Sequence, residues 1–212
     1  MKLPGPVQRL RQRLAELPSI GPRQALRLVF YLIGKGANNS RALGQDLDAL
    51  SKIKICERCF FIHQNSDNLC DICHDPERNH GVIMVVEKET DLLSIENTRK
   101  FNGRYLILGT ISKTGLLEEW QKLRLQNMKS FIEKKIVGAG EIKAGSTSSP
   151  QADEIILGYN PSTTGDFHAG LVAKELAGFA KKISRLGRGL PTGGEIEFAD
   201  DDTLGASLER RG

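Results

Sequence analysis

Two close cysteine pairs, Cys56-x2-Cys59 and Cys70-x2-Cys73, stand ten residues apart and constrain this chain more than any other feature. The segment around them, about 55–80, shows little hydrophobic periodicity and cannot build a core from its own side chains. Two turns that each offer two thiolates suit a metal with a tetrahedral preference, which is zinc. The ion would neutralise the crowded thiolates and order the segment. A redox dithiol usually needs one pair beside a βαβ pattern, so two symmetric pairs favour metal. His63 and His74 are nearby alternative ligands, but four cysteines already complete a shell. A site closed by four protein ligands leaves no position for substrate, so one structural Zn²⁺ per chain is expected.

The rest of the chain can fold by burial. Its hydrophobic content of 39% supplies packed cores. No apolar run approaches the roughly 20 residues of a membrane-spanning helix. The start, Met1-Lys2-Leu3-Pro4, lacks the apolar core of a signal peptide, which makes the cytoplasm the default compartment and favours metal over disulfides there. Charge is uneven: residues 1–55 carry ten Lys/Arg against three Asp/Glu, net +7, and the remainder is −3. A basic N-terminal third suits a polyanion, although a solvated basic face would look the same.

Val7, Leu10, Leu14 and Leu17 recur at helical spacing, interleaved with Arg9, Arg11 and Arg13. Pro18-Ser19-Ile20-Gly21 breaks the pattern, and Pro22 suits the first position of a second helix. Leu26, Val29, Leu32 and Ile33 continue an apolar stripe to Gly34, and a third helix is expected over about 40–52 with Leu43, Leu47 and Leu50 inward. The first two helices resemble a helix–hairpin–helix, a module that binds DNA without sequence preference. Gly21 fits its hairpin, where backbone amides approach phosphate, and Ser19 stands where the motif commonly has glycine. Arg23 and Arg27, four apart, can face a phosphate backbone together. A plain helical hairpin with solvated arginines is the alternative.

Beyond the cysteines, Gly81-Val82-Ile83-Met84-Val85-Val86 reads as a buried strand. Further strands are expected at Tyr105–Leu108, Glu154–Tyr159 and around Lys182–Leu186, with helices near 90–97, 116–136 and 165–181. Such alternation predicts a mainly parallel α/β sheet. A loop rich in small residues is expected around 138–152, and Glu195–Phe198 reads as a strand before a terminal helix. The glycines of 189–194 lack the Gly-Lys-Ser/Thr of a phosphate-binding loop and read as a turn. Asp200, Asp201 and Asp202 read as charge near the N-terminus of the last helix.

Glu87 at the end of the first of these strands, with Gly158-Tyr159-Asn160-Pro161-Ser162 closing a later one, resembles a Toprim domain. Catalytic members use a glutamate here and an Asp-x-Asp after the later strand to hold Mg²⁺. Asn160 and Ser162 occupy the Asp-x-Asp positions in this chain, which leaves Glu87 with Asp166 as a possible helper. The competing reading is a Toprim nuclease or primase-like enzyme working through those two acids.

The order of these pieces, with Asn160-Pro161-Ser162-x-x-Gly165 and the run Arg188-Gly189-Leu190-Pro191-Thr192-Gly193-Gly194, resembles the RecR family over nearly the whole chain. The fold class expected is a multi-module α+β chain with four parts. Residues 1–54 form the helix–hairpin–helix, 55–79 a four-cysteine zinc finger, 80–187 an α/β Toprim domain, and 188–212 a strand–helix tail that contacts other copies. The resemblance implies a non-catalytic DNA clamp, a ring-like homo-oligomer of two to four chains. It implies work with RecO and RecF to load recombinase onto single-stranded gaps. Arg23 and Arg27 match the family's DNA contacts, and the partner-docking acids map onto Glu87 and, more loosely, Asp166. Thr164 stands where the family usually has glutamate, Phe167-His168-Ala169 replaces a small-residue run, and the 138–152 loop is longer than usual.

Overall fold

The computed structural model describes residues 2–112, 114–138, 151–190 and 193–209, for 135–138 the backbone only. The chain divides into two compact units, Met1–Ile53 and Lys54–Gly212.

The first unit is helical: α1 Gly5–Ala15, α2 Pro22–Gly34 and α3 Ala37–Ala49, the last continued by a 3₁₀ turn at Leu50–Lys52. Helix α2 begins at the proline and ends at the glycine that the sequence marks. Ser19 takes φ +65°, the left-handed position that makes glycine common at this point of such hairpins. Helix α1 packs on α2, where Ala25 and Val29 are buried, while Ile33 of the expected stripe is exposed. Helix α3 starts three residues early, and Leu43, Leu47 and Leu50, expected inward, are exposed. Among the described residues, nothing else in this unit covers that face. Three short helices have too little surface to enclose it.

The second unit opens with the cysteine module: β1 Lys54–Ile55 pairs antiparallel with β2 Ile62–His63, and α4 Asp71–His74 follows. Then come β3 Val82–Val86, α5 Glu89–Glu96, β4 Arg104–Ile107, α6 Glu119–Gly138, β5 Ala152–Gly158, α7 Thr163–Leu176 and β6 Ala180–Arg185. The four long strands form one parallel sheet in the order β4-β3-β5-β6, in register Ile83↔Arg104 and Ile83↔Ile155. Strand alternation explains the continuous apolar run. Ile83 and Val85 face Leu125, Met128, Val172 and Leu176 of α6 and α7, whereas Met84 and Val86 face Leu92 of α5 and the four cysteines.

Both sheet edges are blunted. Outer strand β6 carries Lys181 and Lys182, paired with Asp153 at 2.7 Å and Glu154 at 2.8 Å. Outer strand β4 is covered by the cysteine module, with Ile107 N donating to the Cys59 carbonyl at 2.9 Å. Helix α7 stops five residues short of the expected end, because Phe179 turns back onto Leu176 and its carbonyl accepts from Ala152 N at 2.8 Å. That bond draws the following residues into the sheet.

Glu195–Phe198, expected to be extended, instead closes a single 3₁₀ turn at Ile196–Phe198, and α8 Asp201–Glu209 ends the described chain. An isolated extended segment with no neighbouring strand leaves its backbone unpaired, and the turn satisfies part of it locally. Residues 139–150 of the expected loop lie outside the described residues, as do Pro191 and Thr192 of the expected glycine turn. No helix among the described residues is long and apolar enough to cross a membrane.

Candidate functional site

All four cysteine sulfurs lie within 4.8 Å of one another, and all four residues are buried. The geometry is local in origin. Cys56 N donates to the Phe61 carbonyl at 2.8 Å, and Phe60, at φ +65°, turns the chain so that Phe61 N reaches Cys59 Sγ at 3.4 Å. Cys70 sits at the start of α4, whose single turn returns Cys73 to the same point. Cys59 Sγ and Cys70 Sγ are 3.4 Å apart. Without a cation such crowded thiols must share protons: the contact with Cys59 holds the Cys56 thiol down, and the same contact pushes Cys59 up. A metal ion would replace the shared protons and satisfy all four sulfurs at once. Neither histidine joins them. His63 Nδ1 accepts from Asn65 N at 3.2 Å, and the exposed His74 pairs with Asp67 at 3.0 Å. Among the described residues the cysteines form the only group of three or more metal-ligating side chains.

Strands β3 and β5 are neighbours, yet the chain leaves β3 toward β4 on one side and returns to β5 on the other. Their C-terminal ends therefore frame the crevice where open α/β sheets take ligands. Glu87 stands there, 7% exposed, with Oε1 3.6 Å from His168 Nδ1. His168 Nε2 lies 3.2 Å from the Ser112 carbonyl. The Tyr159 hydroxyl is buried nearby with no hydrogen-bond partner among the described residues, and burial, aided by Glu87, pushes its ionisation up. Asp166 is placed differently. Its carboxylate accepts from both Arg185 and Arg188, and Arg188, then Arg185, hold it below the usual carboxylate range.

At the Asp-x-Asp positions, Asn160 is exposed and Ser162 caps α7, its Oγ accepting from Gly165 N at 3.1 Å. A Cβ at position 165 would lie 2.1 Å from the Asn160 carbonyl oxygen, so only glycine allows this close strand-to-helix turn. The crevice thus holds one buried acid beside an imidazole, and a second acid engaged by two guanidiniums. The sequence motifs that include Tyr159, His168 and Arg188 do not reveal these contacts, and Arg185 gives no signal there, since all four depend on partners far along the chain.

In the first unit, Gly21 precedes α2, and Arg23 and Arg27 are exposed on that helix, with no ion pair among the described residues. On α1, Arg9 and Arg13 are exposed and Arg11 is half-buried.

Two family models match the chain: a Toprim domain over residues 81–187, and "RecR, C-terminal" over residues 189–211. Recombination protein RecR of Chloroflexus aggregans is 40% identical over 209 residues, covering 97% of this chain and 93% of that protein. The protein of the same name from Roseiflexus castenholzii is 36% identical over 211 residues, 99% and 94% of the two chains. That from Gloeobacter violaceus is 35% identical over 207 residues, 97% and 96%. The chain belongs to the RecR family. The RecR C-terminal match covers the tail, where Asp200 starts α8, its carboxylate accepting from Thr203 N at 2.8 Å. The three aspartates thus stand at a helix N-terminus, as their order suggests.

Proposed function

We propose that this RecR-family chain is a non-catalytic, DNA-binding recombination mediator of the cytoplasm. It forms a ring-like homo-oligomer of two to four copies and works with RecO and RecF to load recombinase onto single-stranded gaps. Its modules divide as 1–54 for DNA, 55–79 for metal, 80–187 for the Toprim fold and 188–212 for contact between copies. The observation that carries the non-catalytic reading is the state of the crevice acids. Asp166 is bound to two arginines, Asn160 and Ser162 are neutral, and Glu87 is the remaining carboxylate. Phosphoryl transfer on two metals needs several anionic ligands, and one buried acid does not supply them.

The four-thiolate set fits zinc, held by Cys56, Cys59, Cys70 and Cys73, and the ion supplies order to the module rather than chemistry. Arg23 and Arg27 contact phosphates, Gly21 lets the backbone approach, and Arg9, Arg11 and Arg13 extend the basic surface. Phosphate contacts carry charge and little sequence information, so binding is sequence-tolerant and salt-dependent. Glu87 serves docking of a partner protein, with Asp166 holding the neighbouring arginines in place.

The test pairs two measurements on the metal-loaded full chain. Anisotropy titrations with single-stranded and duplex oligonucleotides at several salt concentrations should show binding that weakens steeply with salt. Incubation of the same DNA with Mg²⁺ or Mn²⁺ should yield neither cleavage nor extension. Turnover that disappears in Glu87→Ala would put the Toprim-enzyme reading in place of this one. Sedimentation with and without DNA reads the ring.

A further inference from the structure

Arg104 opens β4 and is only 3% exposed. A buried guanidinium requires hydrogen-bond partners, and here they come from the cysteine module. Nη1 donates to the Cys73 carbonyl at 2.7 Å, Nη2 to the Asp75 carbonyl at 3.2 Å, and Nε to His80 Nδ1 at 2.6 Å. A second guanidinium meets the same carbonyl from the module itself, Arg58 Nη1 donating to Cys73 at 3.1 Å. One ligand residue's carbonyl thus takes two charged donors, one from the sheet and one from the module itself.

Four thiolates around a divalent ion keep a formal charge of about −2, which is costly to bury. Two guanidiniums at the turn of the last ligand offset part of that charge. They also fix the turn: with its carbonyl held, the Cys73 backbone cannot shift away from the site without breaking two charge-assisted bonds.

We propose that Arg104 is a retention residue of the metal centre, acting through the Cys73 carbonyl, with Arg58 as its weaker helper. The inference rests on the reading that the four cysteines hold a metal. It makes the sheet edge and the metal centre one linked unit: the strand keeps the ion, and the ion keeps the strand's arginine satisfied.

The test measures zinc release from the full chain into excess colorimetric chelator at neutral pH, after metal content has been determined. Outer partners of metal ligands typically change metal affinity by about 10- to 100-fold, so Arg104→Gln should release zinc at least about tenfold faster. Arg104→Lys restores charge without the planar fork and should fall between Arg104→Gln and wild type. Arg58→Gln should accelerate release less than Arg104→Gln. The control is Arg78→Gln, which removes a neighbouring arginine that is bound to Glu96, the Gly103 carbonyl and the Asp75 carboxylate but makes no bond to the Cys73 carbonyl. It should release zinc as wild type does.

Wild-type release from Arg104→Gln overturns the proposal, and so does equally fast release from Arg78→Gln, which would assign the effect to a loosened sheet. If Arg104→Gln does not fold, unchanged release in both Arg104→Lys and Arg58→Gln overturns it instead. Wild-type protein without any metal overturns the metal reading itself, and is seen before any variant is compared.

Discussion

The N-terminal helices and the cysteine module face the same difficulty and meet it differently. Each is too small to enclose an apolar interior of its own. The helices bury Ala25 and Val29 and leave Leu43, Leu47, Leu50, Phe30 and Tyr31 exposed. The cysteine module buries all four of its cysteines and shares a core with Met84, Val86, Leu92, Tyr105 and Ile107 of the sheet. It also covers the open edge of β4, so the benefit is mutual. A segment without periodicity can therefore be more firmly held than an amphipathic hairpin, provided ligand chemistry and a neighbouring sheet supply what its sequence lacks. The hairpin leaves Arg23 and Arg27 exposed.

The largest expected effect is on the cysteine side. Cys70→Ser should lose its metal and aggregate on warming, because structural zinc supplies on the order of 10 kcal/mol in small modules. Metal analysis with thermal unfolding checks this, and a stable, zinc-free soluble mutant would break the comparison. The matching change in the hairpin is milder. Val29→Ala removes one buried side chain and should cost about 2 kcal/mol, read by denaturant unfolding, while metal content stays at the wild-type level. Metal loss in that variant would show that the two units do not stand separately.

The double substitution Arg23→Ala, Arg27→Ala sharpens the functional half of the contrast. All DNA sequences should bind more weakly to about the same degree, and the slope of log affinity against log salt should fall by roughly 2 per chain engaged. Folding and zinc content should persist, since both side chains are exposed. An unchanged slope would move the DNA to another surface, beginning with Arg9, Arg11 and Arg13. Glu87→Ala should leave DNA affinity nearly intact while weakening partner docking, which a pull-down against RecO separates from DNA binding.

The smallest effect is electrostatic. Arg188 and Arg185 depress the Asp166 carboxyl. Its contribution is therefore complete above the unfolded value of about 3.9, and is lost only as pH falls through the lower folded value. Carbon-13 titration of that carboxyl should find its midpoint below about pH 4, and a midpoint above it would mean the arginines are engaged elsewhere.

Several elements are legible in the order of residues alone. The two Cys-x2-Cys turns, Pro22 starting α2, Gly34 ending it, and the Val82–Val86 strand depend on a few adjacent residues. The β4 strand is legible but shifted by one residue, running Arg104–Ile107 where Tyr105–Leu108 is expected. Arg104 does not read as a buried strand position, and it becomes one because the carbonyls of Cys73 and Asp75 satisfy it. The outward leucines of α3 mislead for the converse reason: helical periodicity identifies an apolar face without saying whether anything covers it. Glu87 stands out by its place at a strand end, whereas its neighbour His168 does not, since an imidazole on α7 becomes relevant only when the crossover lays it against β3.

By itself, then, the sequence determined the cysteine spacing, the helical hairpin and the alternation of strands and helices, which are written in local propensity and in periods of two or three to four residues. The resemblance to the family rests instead on particular motifs and their order. Tertiary structure alone decided which charges are engaged. Asp166 meets Arg188, 22 residues onward, and Arg104 meets the Cys73 carbonyl, 31 residues back. Such pairs form because parallel crossovers bring distant strand ends together, and because a charge removed from water takes whatever partner the packing provides.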